Sequence, residues 1–275
     1  MVAGNRQLVV GGVICVVFVV MGVAGPYITP YSPFDGDTAS RLATPSLAHP
    51  FGTDAFGRDV LSRLMAGTRY ALVTGVGAIG LAVVIGACAG LIAGYFRGWI
   101  DEVLMRLTDV ALAVPSVILA LVIVTSLGSS VRNLVIAIGA VYAPRIARVV
   151  RSRTLEIRER DFVVAARARG ENHLYVMAVE IGPHTASALA VEASMRMSFV
   201  LLLQAALSFL GLGLSPPAPD WGLMISGSRL QMYSAPWLIV FPSLVITITI
   251  VGFNMLGDGI VSATDRTLDA ARPRN

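Results

Sequence analysis

Six apolar runs, each near the length that crosses a lipid bilayer, set the terms for this chain. A hydrocarbon core about 30 Å thick takes a helix of about 20 mostly apolar residues. The runs are Leu8 to Ile28, Ala71 to Ala93, Val103 to Leu127, Val131 to Val149, Ala188 to Leu212 and Pro236 to Leu256. They predict an all-α, polytopic membrane protein with six transmembrane helices. Composition agrees: 55% of the residues are hydrophobic, 14% are charged, and mean hydropathy is +0.74. A soluble domain carries about 25% charged residues and could not cover its surface with this sequence.

The first run has the outline of a signal peptide, with Arg6 before it. It is long for one, and Tyr27 and Ile28 follow Pro26 where a cleavage site needs small residues. Residues 1–29 are therefore read as an uncleaved first helix. Residues 30–69 turn polar, and Pro30, Pro33, Pro45 and Pro50 exclude a long helix. Their end, Asp54 to Arg69, reads as a short amphipathic helix on the membrane surface. Residues 70–275 hold the other five spans and a long loop, 151–187.

Six spans put both termini on one side, and arginine placement selects it. With the N-terminus inside, the inside receives Arg6, Arg97, Arg106, Arg145, Arg148, Arg151, Arg153, Arg158, Arg160, Arg167, Arg169, Arg266, Arg272 and Arg274. The outside receives Arg41, Arg58, Arg63, Arg69, Arg132 and Arg229. Both termini are expected in the cytoplasm.

Every one of the 21 basic residues is Arg; the chain has no Lys. A P-loop needs Lys to reach its phosphates, and a Schiff base needs one to form. Whatever work the protein does with ATP must therefore be done by a partner chain, and no cofactor is expected here. Cys15 and Cys88 sit inside apolar runs, and His49, His173 and His184 are scattered, so no metal site is expected. No nucleophile–His–acid set is visible, which predicts no catalytic residues. The net charge of +4 forms no dense basic stripe, which speaks against nucleic acid.

The loop 151–187 is long for a helical bundle, and long ordered loops usually carry function. Apolar residues recur at helical spacing on either side of Gly170. The pattern predicts two short helices hinged at Gly170, with Pro183 ending the second. Ala165-Ala166, Gly170 and Ile181-Gly182-Pro183 resemble the EAA motif of ABC-importer permeases. Val164 stands where that motif has an acid, and Gly182 where it has Leu. In that family the helix docks on a cytoplasmic ATPase, which implies docking roles for Phe162, Ala165, Ala166, Arg167, Gly170 and Pro183.

Other segments extend the resemblance from about Thr44 to Asp265. His49 to Asp54 with Gly57 to Arg63 is similar to the HPxGTDxxGRDxxSR segment of peptide and nickel importer permeases. Asp101, Arg106, Asp109 and Pro115 fit the third helix, and Ala206 to Gly213 with Asp220-Trp221-Gly222 the segment after the fifth. Phe241-Pro242 and Phe253 to Gly259 fit the sixth. The chain is identified as a member of the C-type permeases of dipeptide, oligopeptide and nickel ABC importers. That resemblance implies the ABC-importer permease fold and half of a translocation path for peptides in the cell membrane. It also implies a second, homologous permease, two ATPases holding ATP and Mg, and an extracytoplasmic substrate-binding protein. A nickel or other small-solute substrate is the alternative. A stand-alone carrier would show intramembrane relays of acids or His, which these runs nearly lack.

Gly52, Thr53, Asp54, Gly57, Arg58 and Asp59 form a compact extracytoplasmic turn before a helix start. It reads equally as a gate or partner contact and as a cap. Arg106 and Asp109 share a helix face and are expected to pair. Trp221 and Trp237 suit an outer interfacial belt. Asn254 and Asp258 are expected to be structural.

Overall fold

The structure, a computed structural model, describes residues 2–270, with side chains described for 6–262. Arg272 and Arg274 of the arginine asymmetry lie outside the described residues, and the Arg266 side chain is likewise not described.

Helix α1 runs Val2–Ile28 and carries Pro26 in its last turn. Helix α2 runs Val60–Phe96 and absorbs the surface helix expected from Asp54 to Arg69. No proline interrupts it, and Val60, Ser62, Arg63 and Leu64 are buried in the protein instead of lying on a membrane surface. The third run is broken into α3 (Gly98–Ala113) and α4 (Ser116–Leu127), which meet at 95°. Pro115 causes the break. Its ring forces the preceding residue out of the helical region, and Val114 is extended at φ −84°, ψ 131°.

Helix α5 (Val131–Ile157) starts at Ser130, whose hydroxyl accepts from the Asn133 N–H. The long loop then gives α6 (Asp161–Ala168), α7 (His173–Tyr175) and a π-helical turn over Val176–Ile181. That turn runs without a stop into α8 (Gly182–Phe209). Pro183 therefore opens α8 instead of ending the second loop helix. The π-helical turn directly before it shifts the hydrogen-bond ladder where the proline N–H is missing, so the helix continues through it. Helix α9 (Trp221–Gly227) and helix α10 (Trp237–Ala270) complete the chain.

The packing decides how often the chain crosses. Helices α2 and α5 lie parallel. A Cβ on Gly86 would meet the Ala143 carbonyl at 2.7 Å, one on Gly90 the Ala147 carbonyl at 2.5 Å, and one on Gly94 the Thr154 side chain at 2.6 Å. Residue numbers rise together along the pair, and three small residues let the two backbones touch. Two consecutive parallel helices require a return between them. The bent pair α3–α4 makes it, from the Asp101–Arg151 contact at one end to the Asn133 amide on the Leu127 carbonyl at the other. Bent as it is, the third run traverses the bundle once, which gives six candidate membrane spans among the described residues. Helices α1 and α10 are antiparallel, with Gly259 against Leu8 and Gly252 against Ile14, so the start of α1 and the end of α10 share a side. That side is called proximal below and the other distal.

Three buried clusters hold the bundle. Ala78, Leu134, Ile138, Ile146, Val200 and Leu207 fill the centre. Phe18, Val60, Leu64, Trp221 and Leu238 fill the distal half. Tyr95, Ile157, Val163, Ala166, Val176, Met177 and Ile181 form a separate proximal knot.

Candidate functional site

The proximal knot is built around α6. Asp161 at its first turn and Arg167 at its last suit the helix dipole. The end is a Schellman motif: the Gly170 N–H donates to the Arg167 carbonyl at 2.9 Å and the Glu171 N–H to the Ala166 carbonyl at 3.2 Å. Such a cap needs a left-handed residue, and Gly170 has φ +81°. Nothing lies within 4 Å of where its Cβ would be, so backbone conformation alone selects glycine here. Asn172 then caps α7 by accepting from the Leu174 N–H.

The helix is two-faced. Val163 and Ala166 are fully buried against Ile157, Val176 and Ile181. Phe162, Val164 and Ala165 are exposed, and Leu174, Tyr175 and Val179 add exposed apolar surface beyond the hinge. Phe162 tilts against His184, next to Pro183, with ring centroids 5.0 Å apart. The residues expected to dock thus divide. Phe162, Ala165, Gly170 and Pro183 are at the surface. Ala166 is an interior contact, and Arg167 turns inward over the Tyr95 ring at 4.6 Å, its Nε and Nη2 buried without hydrogen-bond partners.

Tyr95, at the end of α2, ties this knot to the spans. Its hydroxyl meets His173 Nδ1 at 2.8 Å, and its carbonyl accepts from Arg158 Nη1 at 2.6 Å. Burial pulls the Arg158 guanidinium below its ordinary value, and the neighbouring Arg167 adds to this. Tyr95, Arg158 and His173 had no signal in the sequence, because their partners are more than sixty residues away.

On the distal side the turn from Gly52 to Asp59 does come together. Asp54 accepts from the Phe56 and Arg58 N–H groups at 2.8 and 3.0 Å and from Arg58 Nε at 2.7 Å. Asp59 caps α2 through the Ser62 N–H and hydroxyl, while its other oxygen faces His49 Nδ1 at 3.0 Å. The Thr53 hydroxyl accepts from the Ala43 N–H and donates to the Ser40 carbonyl. Gly52 and Gly57 both have positive φ, and Cβ atoms there would strike Ala43 and Asp37 backbone oxygens. Nearby, a backbone N–H and then the Ser40 hydroxyl hold the exposed Asp37 carboxyl below its ordinary value.

Arg63, the last residue of the HPxGTDxxGRDxxSR-like segment, is the second anchor of this end. Its Nη1 donates to the carbonyls of Pro33 at 2.8 Å and Pro217 at 3.3 Å. Trp221, expected in an interfacial belt, is buried inside the protein instead, while Trp237 is half-buried. The Trp221 indole donates to the Leu64 carbonyl and ties α9 to α2, and the Trp237 indole donates to the Thr53 carbonyl and ties α10 to the distal turn. Asp220 caps α9 by accepting from the Leu223 N–H, and its burial raises its carboxyl above the ordinary range. A cleft of about 300 Å³ opens between the turn and α9, lined by Arg58, Arg63, Met224 and Leu238.

Along α3 and α5 the acids and arginines interlock. Asp101 takes Arg151 and Asp109 takes Arg148, at 2.6 Å each. The expected Arg106–Asp109 pair does not form; Arg106 lies 3.9 Å from Glu102 on its own helix. Asn254 and Asp258 lie on the exposed side of α10. Among the described residues, no three His, Cys, Asp or Glu side chains are grouped to hold a metal ion.

The family model for binding-protein-dependent transport system inner membrane components matches residues 86–269. A dipeptide transport system permease protein, DppC, from Alkalihalophilus pseudofirmus is 40% identical over 95% of this chain and 86% of its own length. A glutathione transport system permease protein, GsiD, from Pectobacterium atrosepticum is 38% identical, over 94% of this chain and 87% of its own length. The GsiD of an Escherichia coli O6:K15:H31 strain is also 38% identical, over 91% and 83%.

Proposed function

This chain belongs to the family of binding-protein-dependent transport system inner membrane components, and on that premise we propose that it is the permease subunit of an ATP-driven peptide importer. The dipeptide and glutathione transport named for its relatives supports a peptide substrate. It forms half of the translocation path beside a second, homologous permease. Two cytoplasmic ATPases hold ATP and Mg, and a binding protein delivers substrate from outside. The arginine asymmetry supports a cytoplasmic proximal side and an extracytoplasmic distal side.

The observation that carries this reading is the two-faced α6. One face is locked into the protein through Val163, Ala166 and Arg167 over Tyr95. The other leaves Phe162, Val164 and Ala165 uncovered. An ATPase that seats on the open face moves the locked face with it. Tyr95 then passes the motion to α2, and the unbroken π-turn passes it to α8. ATP binding in the partner thereby reorients two spans of the path.

Purification through a tag on this chain tests the reading. Two ATPase subunits and a second permease are expected to come with it. A chain that transports peptide when reconstituted alone would contradict it.

A further inference from the structure

Of the four arginines Arg145, Arg148 and Arg151 on α5 and Arg196 on α8, three pair with acids and one does not. Arg148 pairs with Asp109, Arg151 with Asp101, and Arg196 with Glu192 at 2.6 Å. Arg145 has no carboxylate. Its Nη2 meets the Ser116 hydroxyl at 3.0 Å and its Nη1 the Val141 carbonyl at 3.2 Å. Its guanidinium lies 5.3 Å from the centre of the buried Tyr142 ring.

Depth makes this exception informative. At a helical rise of 1.5 Å per residue, Arg145 lies about 18 Å along α5 from Asn133 and about 9 Å short of Arg151. Those two polar residues bracket about 27 Å, close to the hydrocarbon thickness. An arginine facing lipid costs about 2.5–3.5 kcal/mol at the centre of a span on insertion scales, and Arg145 lies within about 5 Å of that centre, on its proximal side. The half-exposed Arg145 therefore faces water or a partner chain, not acyl tails. Pro115 contributes by bending the crossing, which sets Ser116 at the break against Arg145.

We propose that Arg145 is a carboxylate subsite on the translocation path, taking the C-terminal carboxylate of a peptide in transit. The assignment rests on the peptide-importer reading above. A guanidinium fork fits a carboxylate with two parallel N–H donors, and such charge-assisted bonds are about twice as strong as neutral ones. An arriving carboxylate replaces the two neutral acceptors, the Ser116 hydroxyl at Nη2 and the Val141 carbonyl at Nη1. The Glu192 carboxylate already satisfies Arg196, so among Arg145, Arg148, Arg151 and Arg196 only Arg145 is left without a carboxylate. One such pair holds a substrate in register yet lets it go.

The test uses the complete importer and two ligands, a peptide and its C-terminal amide, chosen so that the isolated binding protein holds both equally. Arg145→Gln is expected to cut free-acid uptake at least tenfold, mostly through KM, and to leave amide uptake within twofold. Arg145→Lys is expected to keep more free-acid uptake than Arg145→Gln. Membrane abundance and ATPase co-purification verify that each variant assembles. Unchanged free-acid uptake, or equal loss of both ligands, overturns the subsite while leaving the peptide reading intact. Uptake of neither ligand by the wild-type importer overturns the peptide reading and the subsite with it.

Discussion

The proximal loop around α6 and the distal turn before α2 use similar parts to opposite ends. Each has at least one glycine at positive φ, with an acid and an arginine beside small residues. In the distal turn every named polar group is engaged internally: Asp54 by Arg58, Asp59 by Ser62, and Thr53 by Ala43 and Ser40. In the proximal loop the internal contacts stop at one face, and Phe162 and Val164 remain uncovered. A motif that satisfies itself holds the fold; a motif that leaves an apolar face open is available to a partner.

Substitutions separate the two regions. Replacing Gly170 with Val is expected to have the largest effect, lowering peptide uptake at least tenfold while membrane insertion stays normal. A non-glycine residue in the left-handed region costs about 1–2 kcal/mol, and Val resists it more than most. Normal uptake together with normal ATPase co-purification would remove the hinge from the account. In the distal turn, Asp54→Asn takes the carboxylate from Arg58 and Arg63. The expected loss is about 1.5–3 kcal/mol of stability, read as a lower thermal midpoint, with ATPase binding retained. Loss of ATPase binding in that variant would erase the contrast.

Single cysteines can test the sides directly once Cys15 and Cys88 are replaced. A cysteine at Ser46 should react with an impermeant reagent in intact cells, and one at Ser152 only after permeabilisation. The reverse would invert the topology. The smallest effect is expected at Asp37, whose carboxyl is held below its ordinary value. Its contribution is present above the ordinary carboxylate range and is lost as pH falls through the depressed value. Asp37→Asn should therefore differ from the wild type in thermal midpoint at neutral pH and converge with it in acid. A constant difference across pH would show that the charge is irrelevant.

The crossings were legible because apolar runs of about 20 residues have few other structures open to them. The breaks were less so. Pro115 inside the third run was visible, but its 95° bend depends on what packs around it. Pro26, Pro144 and Pro242 sit in helices that continue through them. The start of α2 was hidden because polar residues from Asp59 to Arg69 look like surface until their tertiary partners are known. Arg63 reaches Pro217, and Leu64 receives the Trp221 indole, across more than 150 residues. The loop motif located α6 but not its two faces. Ala165 and Ala166 are adjacent and chemically alike, and only the fold turns one out and buries the other.

The open face of α6 is the centre of the account, and Phe162→Asp tests it most directly beside Asp54→Asn. Both chains would be purified from the complete importer at equal membrane abundance, and the ATPase recovered with each measured. The Phe162→Asp chain is expected to lose at least nine-tenths of its ATPase, and the Asp54→Asn chain to keep it. Full recovery of ATPase with Phe162→Asp would contradict the account.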